Sequence, residues 1–231
     1  MEPNVNSQKV SGEKPSLLGM ITSPGLQFER MKATDKVWGM FFLVALLQAL
    51  VNGLSTYVAH SSPEMMEIQK KFGTGEGESI GYLVGKSIGS GFIGIIIGTL
   101  IVAAVYKIFM MFFGNDTSYK KLLAIIVYAN IVLVIGGLIN SLLDLIFGSG
   151  ATGYTSLAPL FEQGTTGYAI GSIVEVFYLW NIVLIWMGLQ ITAGLGKVKA
   201  AVPIIVLFII KVAFVSVMII AVAKFMQSFN G

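Results

Sequence analysis

Cysteine is absent from this 231-residue chain, and charge is scarce. Without cysteine there are no disulfides, no thiol nucleophile, no iron–sulfur ligands and no thiolate zinc site. Only 12% of residues are charged, against about 25% in an ordinary soluble domain. The single histidine, His60, falls at the edge of an apolar run, which excludes a Ser–His dyad inside one. No HExxH motif, no pair of aspartates within apolar runs and no Walker A motif occurs, so intramembrane metallo- and aspartyl proteolysis and direct ATP use lack their parts. The formal net charge of +3 is concentrated in particular loops and does not suggest nucleic acid. No cofactor is implied.

What the chain does contain is apolar sequence, with 55% hydrophobic residues and a mean hydropathy of +0.81. A hydrocarbon core about 30 Å thick needs roughly 20 apolar helical residues. Five runs are long enough: Val37–Val58, Ile88–Phe113, Leu122–Phe147, Ala169–Leu195 and Val202–Phe225. The pattern predicts an all-α integral membrane protein of five transmembrane helices, in contact with lipid throughout. Mostly polar residues precede the first run and no early cleavage site is visible, so no signal peptide is expected and the first span serves as the insertion signal.

Lysine and arginine in the connections set the orientation. One side holds Lys9, Lys14, Arg30, Lys32, Lys36, Lys107, Lys120, Lys121, Lys197 and Lys199; the other holds Lys70, Lys71 and Lys224. This bias predicts a cytoplasmic N-terminus and, after five crossings, a C-terminus outside. The chain divides into a disordered polar tail at 1–14, an amphipathic cytoplasmic segment at 15–36 and a transmembrane domain at 37–226. In the second part, Leu17, Leu18 and Ile21 share one helical face. Ser23 is a candidate N-cap with Pro24 at the first helical position, and Leu26, Phe28 and Met31 alternate with Glu29, Arg30 and Lys32. One or two short helices lying on the membrane surface are expected. The first outer loop predicts a short helix over Pro63–Phe72 and a flexible connector at Gly73–Gly77. The third loop, Gly148–Gly167, is expected to fold back on the bundle.

Two sets of residues are candidates for function. Gly85, Gly89, Gly94 and Gly98 fall in the second span and its approach with Gly81, Ser87, Ser90 and Gly91, in pairs four residues apart. Such spacing leaves a groove for a close helix backbone, either within the chain or from a partner. Lys86, Glu175 and Lys211 are ionisable residues in or beside apolar runs, where charge is costly and is usually paired or water-facing. Lys86 and Glu175 are placed at similar depth near the outer boundary, as in a structural ion pair. Lys211 lies about 12 Å into span five and either snorkels or joins a polar path. Asn130, Asn140, Asn181 and Gln190 add amides able to bond between helices. Trp38, Tyr57, Tyr106 and Tyr168 sit near span ends, as belt residues do.

Three segments together resemble the Yip1 family of membrane proteins. They are Met20–Phe28, with its Pro-then-Phe pattern; Gly114–Ala129, a Gly, a polar stretch and a helix ending in Tyr-Ala; and Glu175–Trp180 through Gly188-Leu189, followed by Lys197–Ala200. Where the family often has a proline soon after Tyr-Ala, this chain has Asn130-Ile131, which removes the usual cause of a kink. The resemblance implies a five-span membrane protein. Within the family the chain is most similar to a bacterial member, and that likeness implies association with a MacB-type ABC exporter and its adaptor subunit in resistance to a toxic peptide. The expected function is a non-enzymatic accessory or assembly factor in the bacterial cell membrane. The alternative is a small transporter or channel using Lys86, Glu175 and Lys211.

Overall fold

The structure, a computed structural model, describes residues 13–62, 78–147, 153–162 and 165–229, with side chains up to residue 218. The expected helix at Pro63–Phe72 and its glycine connector lie outside the described residues, as do residues 1–12 of the tail. All regular elements described are helical. They are α1 (Gly19–Thr22), α2 (Pro24–Lys32), α3 (Trp38–His60), α4 (Ile80–Phe112), α5 (Tyr119–Ala129), α6 (Ile131–Phe147), a 3-10 turn at Ala158–Leu160, α7 (Thr166–Ile173), α8 (Val176–Ile191) and α9 (Lys197–Phe229).

Four helices are long and apolar enough to cross a membrane: Trp38–His60, Ile80–Phe112, Tyr119–Phe147 and Lys197–Met218. The third is α5 and α6 in series, interrupted at Asn130. The helix is therefore interrupted at Asn130 without a proline to kink it. Span four is not the single helix expected over Ala169–Leu195. It divides at Val174–Glu175 into α7 and α8, the latter 16 residues or about 24 Å long.

Local signals account for the helix limits. Ser79, Ser118 and Thr165 each accept a bond from a first-turn backbone N–H of α4, α5 and α7. Gly114 and Gly194, at φ of 66° and 69°, reverse the chain after α4 and α8, a backbone shape that other residues rarely adopt. Asn115 N–H then donates to Met110 O at 2.8 Å, and Leu195 N–H to Leu189 O at 3.1 Å.

The core centres on α5, in which every residue from Leu122 to Ala129 is buried. An element apolar on all sides belongs in the middle of a bundle. Helices α3, α4 and α8 surround it, and α3 also packs along α6. Glycines allow these approaches. An ideal Cβ on Gly53 stands 2.5 Å from Ile88 Cγ1, on Gly137 2.5 Å from Val51 Cγ1, and on Gly136 2.5 Å from Phe177 Cγ. Hydroxyl pairs tie the same helices, Ser55 to Ser141 at 2.7 Å and Thr56 to Ser87 at 2.8 Å.

The N-terminal segment packs on the bundle. Pro24 does open α2, but Ser23 makes no capping bond. Met20, Phe28 and Met31 are fully buried, and α2 packs on α5 and α8. Phe28 O accepts from Thr192 Oγ1 at 2.8 Å, Lys32 O from Lys121 Nζ at 2.9 Å and Pro15 O from Tyr128 Oη at 3.2 Å. Its apolar face closes one end of the bundle, because that end offers Gly188 and α5 as an apolar seat.

Candidate functional site

The four glycines and three charges are arranged differently from their sequence grouping. Gly85 and Gly94 are nine residues apart, two and a half helical turns, so Gly85/Gly89 and Gly94/Gly98 lie on roughly opposite sides of α4. All four are exposed, and no atom stands within 4 Å of an ideal Cβ on any of them. Close packing between the long helices falls instead at Gly53, at the adjacent Gly136 and Gly137, and at Gly188, which no repeated glycine spacing marks. Among the regular positions only Gly91 meets a neighbour, Asn52 Nδ2 at 3.1 Å.

Lys86 and Glu175 form no ion pair. Lys86 Nζ, in the second turn of α4, stands 3.8 Å from Oε2 of Glu78 just ahead of that helix, with both side chains largely exposed. Glu175 is the N-cap of α8. Its Oε1 accepts from Phe177 N–H at 3.0 Å and from Thr155 Oγ1 at 2.6 Å, and its Oε2 accepts from Tyr178 N–H at 2.6 Å. A carboxylate at a helix N-terminus satisfies unpaired donors and favours the helix dipole. Asn140 completes the cluster, donating to Thr155 Oγ1 at 2.6 Å and accepting from Thr155 N–H at 3.1 Å. Backbone bonds from Val176 N–H to Thr155 O and from Leu157 N–H to Val174 O then hold the 153–161 segment on the bundle, in the direction expected for that loop.

Lys211 is the one of the three that lines a cavity. A lateral cleft of about 400 Å³ opens between α4 and α9, with α5 and α8 behind it. Its walls are apolar, from Ile95 and Val102 on one side to Ile204 and Leu207 on the other. Its floor is polar: Gln48, Thr99, Tyr106, Asn130, Tyr178 and Asn181. Asn181 Nδ2 donates to Asn130 Oδ1 at 3.0 Å, joining α8 to the break between α5 and α6. The Lys211 amine stands 3.4 Å from the centre of the Tyr178 ring, a cation–π contact, and Phe208 stacks on the same tyrosine. Among the described residues Lys211 makes no ion pair. Tyr106, expected as a belt residue, is 3% exposed and lies in the last two turns of α4.

At the other end, the basic connections meet. Asn115 Nδ2 and Thr117 Oγ1 both donate to Ala193 O, at 2.8 and 3.4 Å, and Lys107 Nζ donates to Thr117 O at 2.9 Å. Trp186 Nε1 donates to Lys197 O at 3.0 Å. The turns after α4 and α8 and the segment before α3 therefore occupy the same end of the molecule.

Comparison with known proteins places this architecture. The Yip1 domain matches residues 18–220. The chain is 30% identical over 225 residues to membrane protein YknW of Bacillus subtilis (strain 168), covering 93% of this chain and 94% of that protein. No solved structure matches. Neither the domain nor the relative's name indicates an enzyme. The matched stretch begins in the buried N-terminal helices, runs through the bundle and both walls of the cleft, and ends in α9: the chain is an integral membrane protein of the Yip1 family.

Proposed function

We propose that this protein is a non-enzymatic accessory of the membrane, an assembly factor that binds another membrane protein within the bilayer. The observation that carries the proposal is the open small-residue surface of α4. A helix that faces only lipid gains nothing from glycine, which weakens a helix by roughly 1 kcal/mol relative to alanine at each position. Gly85, Gly89, Gly94 and Gly98 have nothing against them in this chain, and small residues four apart are what lets a second helix approach closely. The likeness to YknW suggests the partner: a MacB-type ABC exporter and its adaptor subunit, in resistance to a toxic peptide.

Five crossings, with the N-terminus cytoplasmic and the C-terminus outside, suit this role. Although α8 is short, it runs from Thr155 and Asn140 at one end to Asn115 and Thr117 at the other, the same two ends that α5 and α6 together connect. The transport alternative needs Lys86, Glu175 and Lys211 around one water-filled path. Only Lys211 lines the cleft, while Lys86 faces Glu78 and Glu175 is held as a helix cap.

The test is purification of the tagged full chain in mild detergent, with identification of the proteins that accompany it. The exporter and its adaptor are the expected companions. Gly89→Leu and Gly94→Leu, one from each side of α4, are expected to reduce recovery without lowering thermal stability. Full recovery with both variants refutes docking through these glycines, and absence of any membrane partner refutes the accessory role.

A further inference from the structure

The end of the molecule where the basic connections meet carries another cavity, and none of its lining residues belongs to α4. Its volume is about 440 Å³, within the range of about 300–1,000 Å³ that seats small ligands. The lining has two halves. Lys14, Thr34 and Lys36 lie ahead of the first membrane helix, and Gly39, Met40 and Leu43 lie in the first two turns of α3. We propose that this cavity binds one anionic phospholipid, with its phosphate between Lys14 and Lys36 and one acyl chain along Met40 and Leu43.

The charge at the cavity is unmatched within the chain. The amines of Lys14 and Lys36 make no ion pair or hydrogen bond among the described residues, and no carboxylate lines the cavity among them. Other cations at this end are engaged. Arg30 pairs with Glu13 and Lys32 with Glu29, while Lys107 and Lys121 donate to Thr117 O and Lys32 O, each at 2.9 Å.

The segment that carries Lys14 is also fixed. Arg30 holds Glu13, Pro15 O accepts from the buried Tyr128 Oη at 3.2 Å, and Ser16 N–H donates to Gln27 Oε1 at 2.9 Å. Ser16 Oγ accepts from Gly19 N–H at 3.0 Å. Lys14 is therefore the one polar side chain in this run without a partner, on a backbone tied down on both sides. Thr34 Oγ1 accepts from Lys36 N–H at 3.3 Å, which leaves its own proton for a phosphate oxygen.

Depth selects a lipid over a soluble anion. Trp38, the first residue of α3, is 46% exposed, and an exposed tryptophan at a helix end marks the headgroup level. Lys36 falls at that level. Leu43 stands five residues, or about 8 Å, farther along α3 and is itself exposed. A free phosphate or an acidic protein segment leaves this apolar half uncovered, and a zwitterionic lipid brings no net charge to the lysines. An anionic phospholipid meets both halves in one molecule, and basic pockets at a membrane surface take such headgroups. No atom stands within 4 Å of an ideal Cβ on Gly39, so a chain has room to lie against the α3 backbone.

The experiment uses the full chain in phosphatidylcholine vesicles that contain a trace of photoreactive lipid. The probe carries a diazirine on one acyl chain and either a phosphoglycerol or a phosphocholine head. Cross-links to Trp38–Leu43 are mapped by mass spectrometry and divided by those to Ile205–Ile210, a largely exposed stretch of α9 that serves as the internal reference. This ratio is expected to favour the phosphoglycerol lipid by about 20-fold, because one lysine at an anionic surface supplies about 5-fold. Lys14→Gln and Lys36→Gln should each lower the preference by about 5-fold, and Lys14→Arg should keep it. Gly39→Leu should abolish it with both lysines in place. Lys120→Gln combined with Lys197→Gln, exposed lysines outside the cavity, should leave it unchanged.

Equal ratios for the two lipids with the wild-type chain overturn the proposal, whatever the variants do. A preference that survives the loss of both Lys14 and Lys36, or that survives Gly39→Leu, overturns it as well. So does a preference lost equally with Lys120→Gln and Lys197→Gln, since a diffuse basic surface then accounts for it. Excess glycerol phosphate that abolishes the preference assigns the site to free phosphate and ends the lipid assignment. Equal lipid ratios together with recovery of a partner protein that depends on Lys14 and Lys36 assign the lysines to an acidic protein segment instead.

Discussion

Gly188 offers the sharpest test of the packing. It lies in α8 where that helix meets both α5 and the N-terminal α2. An ideal Cβ there stands 2.5 Å from Ile125 Cγ2 and 2.7 Å from Phe28 Cε1. Neither neighbour has room to withdraw, since both side chains are fully buried. The bond from Thr192 Oγ1 to Phe28 O also holds α2 in place. Gly188→Ala therefore sets two effects against each other. Alanine gains roughly 1 kcal/mol of helix propensity. Overpacking a rigid site costs about 1–3 kcal/mol, and contact on two sides puts this site in the upper part of that range. The net expectation is a loss of about 1–2 kcal/mol, or a fall in Tm of roughly 2–8 °C for a chain of this size. Gly89→Ala is the control, because nothing lies within 4 Å and only the propensity gain remains. Its Tm should equal or exceed that of the wild type. Thermal unfolding of the three proteins in one detergent, followed by intrinsic fluorescence, gives the comparison. A Gly188→Ala protein that melts at or above the wild-type temperature, or a Gly89→Ala protein that falls as far, would show that these glycine contacts do not govern stability.

Phe28→Ala should cost about 3–5 kcal/mol if α2 is part of the core, and proteolysis at Arg30 and Lys32 should accelerate; unchanged melting would show that the segment adds nothing to the core. Glu175→Gln is expected to destabilise by about 0.5–2 kcal/mol through the weakened α8 cap, and Lys86→Met by at most about 1 kcal/mol. Because the two residues do not meet, the double variant should be additive within about 0.5 kcal/mol, and a larger coupling measured by the double-mutant cycle would restore a direct pair. For orientation, Glu162→Cys should react with an impermeant thiol reagent in intact cells and Asp116→Cys should not; the reverse pattern would invert the topology.

Helix existence was legible because apolar length is a strong signal, and α3, α4, the α5–α6 pair and α9 all follow it. The limits of that signal show at Glu175. Hydropathy averages over a window, so one carboxylate inside an apolar run leaves the run intact on paper. In the fold the same residue ends one helix and caps the next, and Thr155 from a distant loop completes its bonds. The cue that was present, an acidic residue directly before an apolar helical stretch, is an N-terminal signal that the long apolar run obscured. The N-terminal segment shows a second limit. Its amphipathic pattern was correct, but amphipathicity says only that one face avoids water. Lipid and a protein core both serve, and the depth of Phe28 depends on Gly188, some 160 positions away.

The candidate site was harder to read for a related reason. In a bilayer the outside of the bundle is as apolar as the inside, so hydropathy cannot tell a buried helix face from a bare one. Repeated glycines therefore drew attention to α4, while the tightest contacts between the long helices fell at Gly53 on α3, Gly136-Gly137 on α6 and Gly188 on α8. The amides were visible one by one, since Asn130 and Asn181 stood out within apolar runs. Nothing in their spacing says that they share a floor with Gln48 and Tyr106, because each comes from a different helix. The same indifference of lipid to apolar surface locates where specificity resides. The apolar side chains of α4 and α9 can accept any acyl chain, so in the accessory role proposed above the choice of partner falls to the glycines of α4, which lipid does not reward.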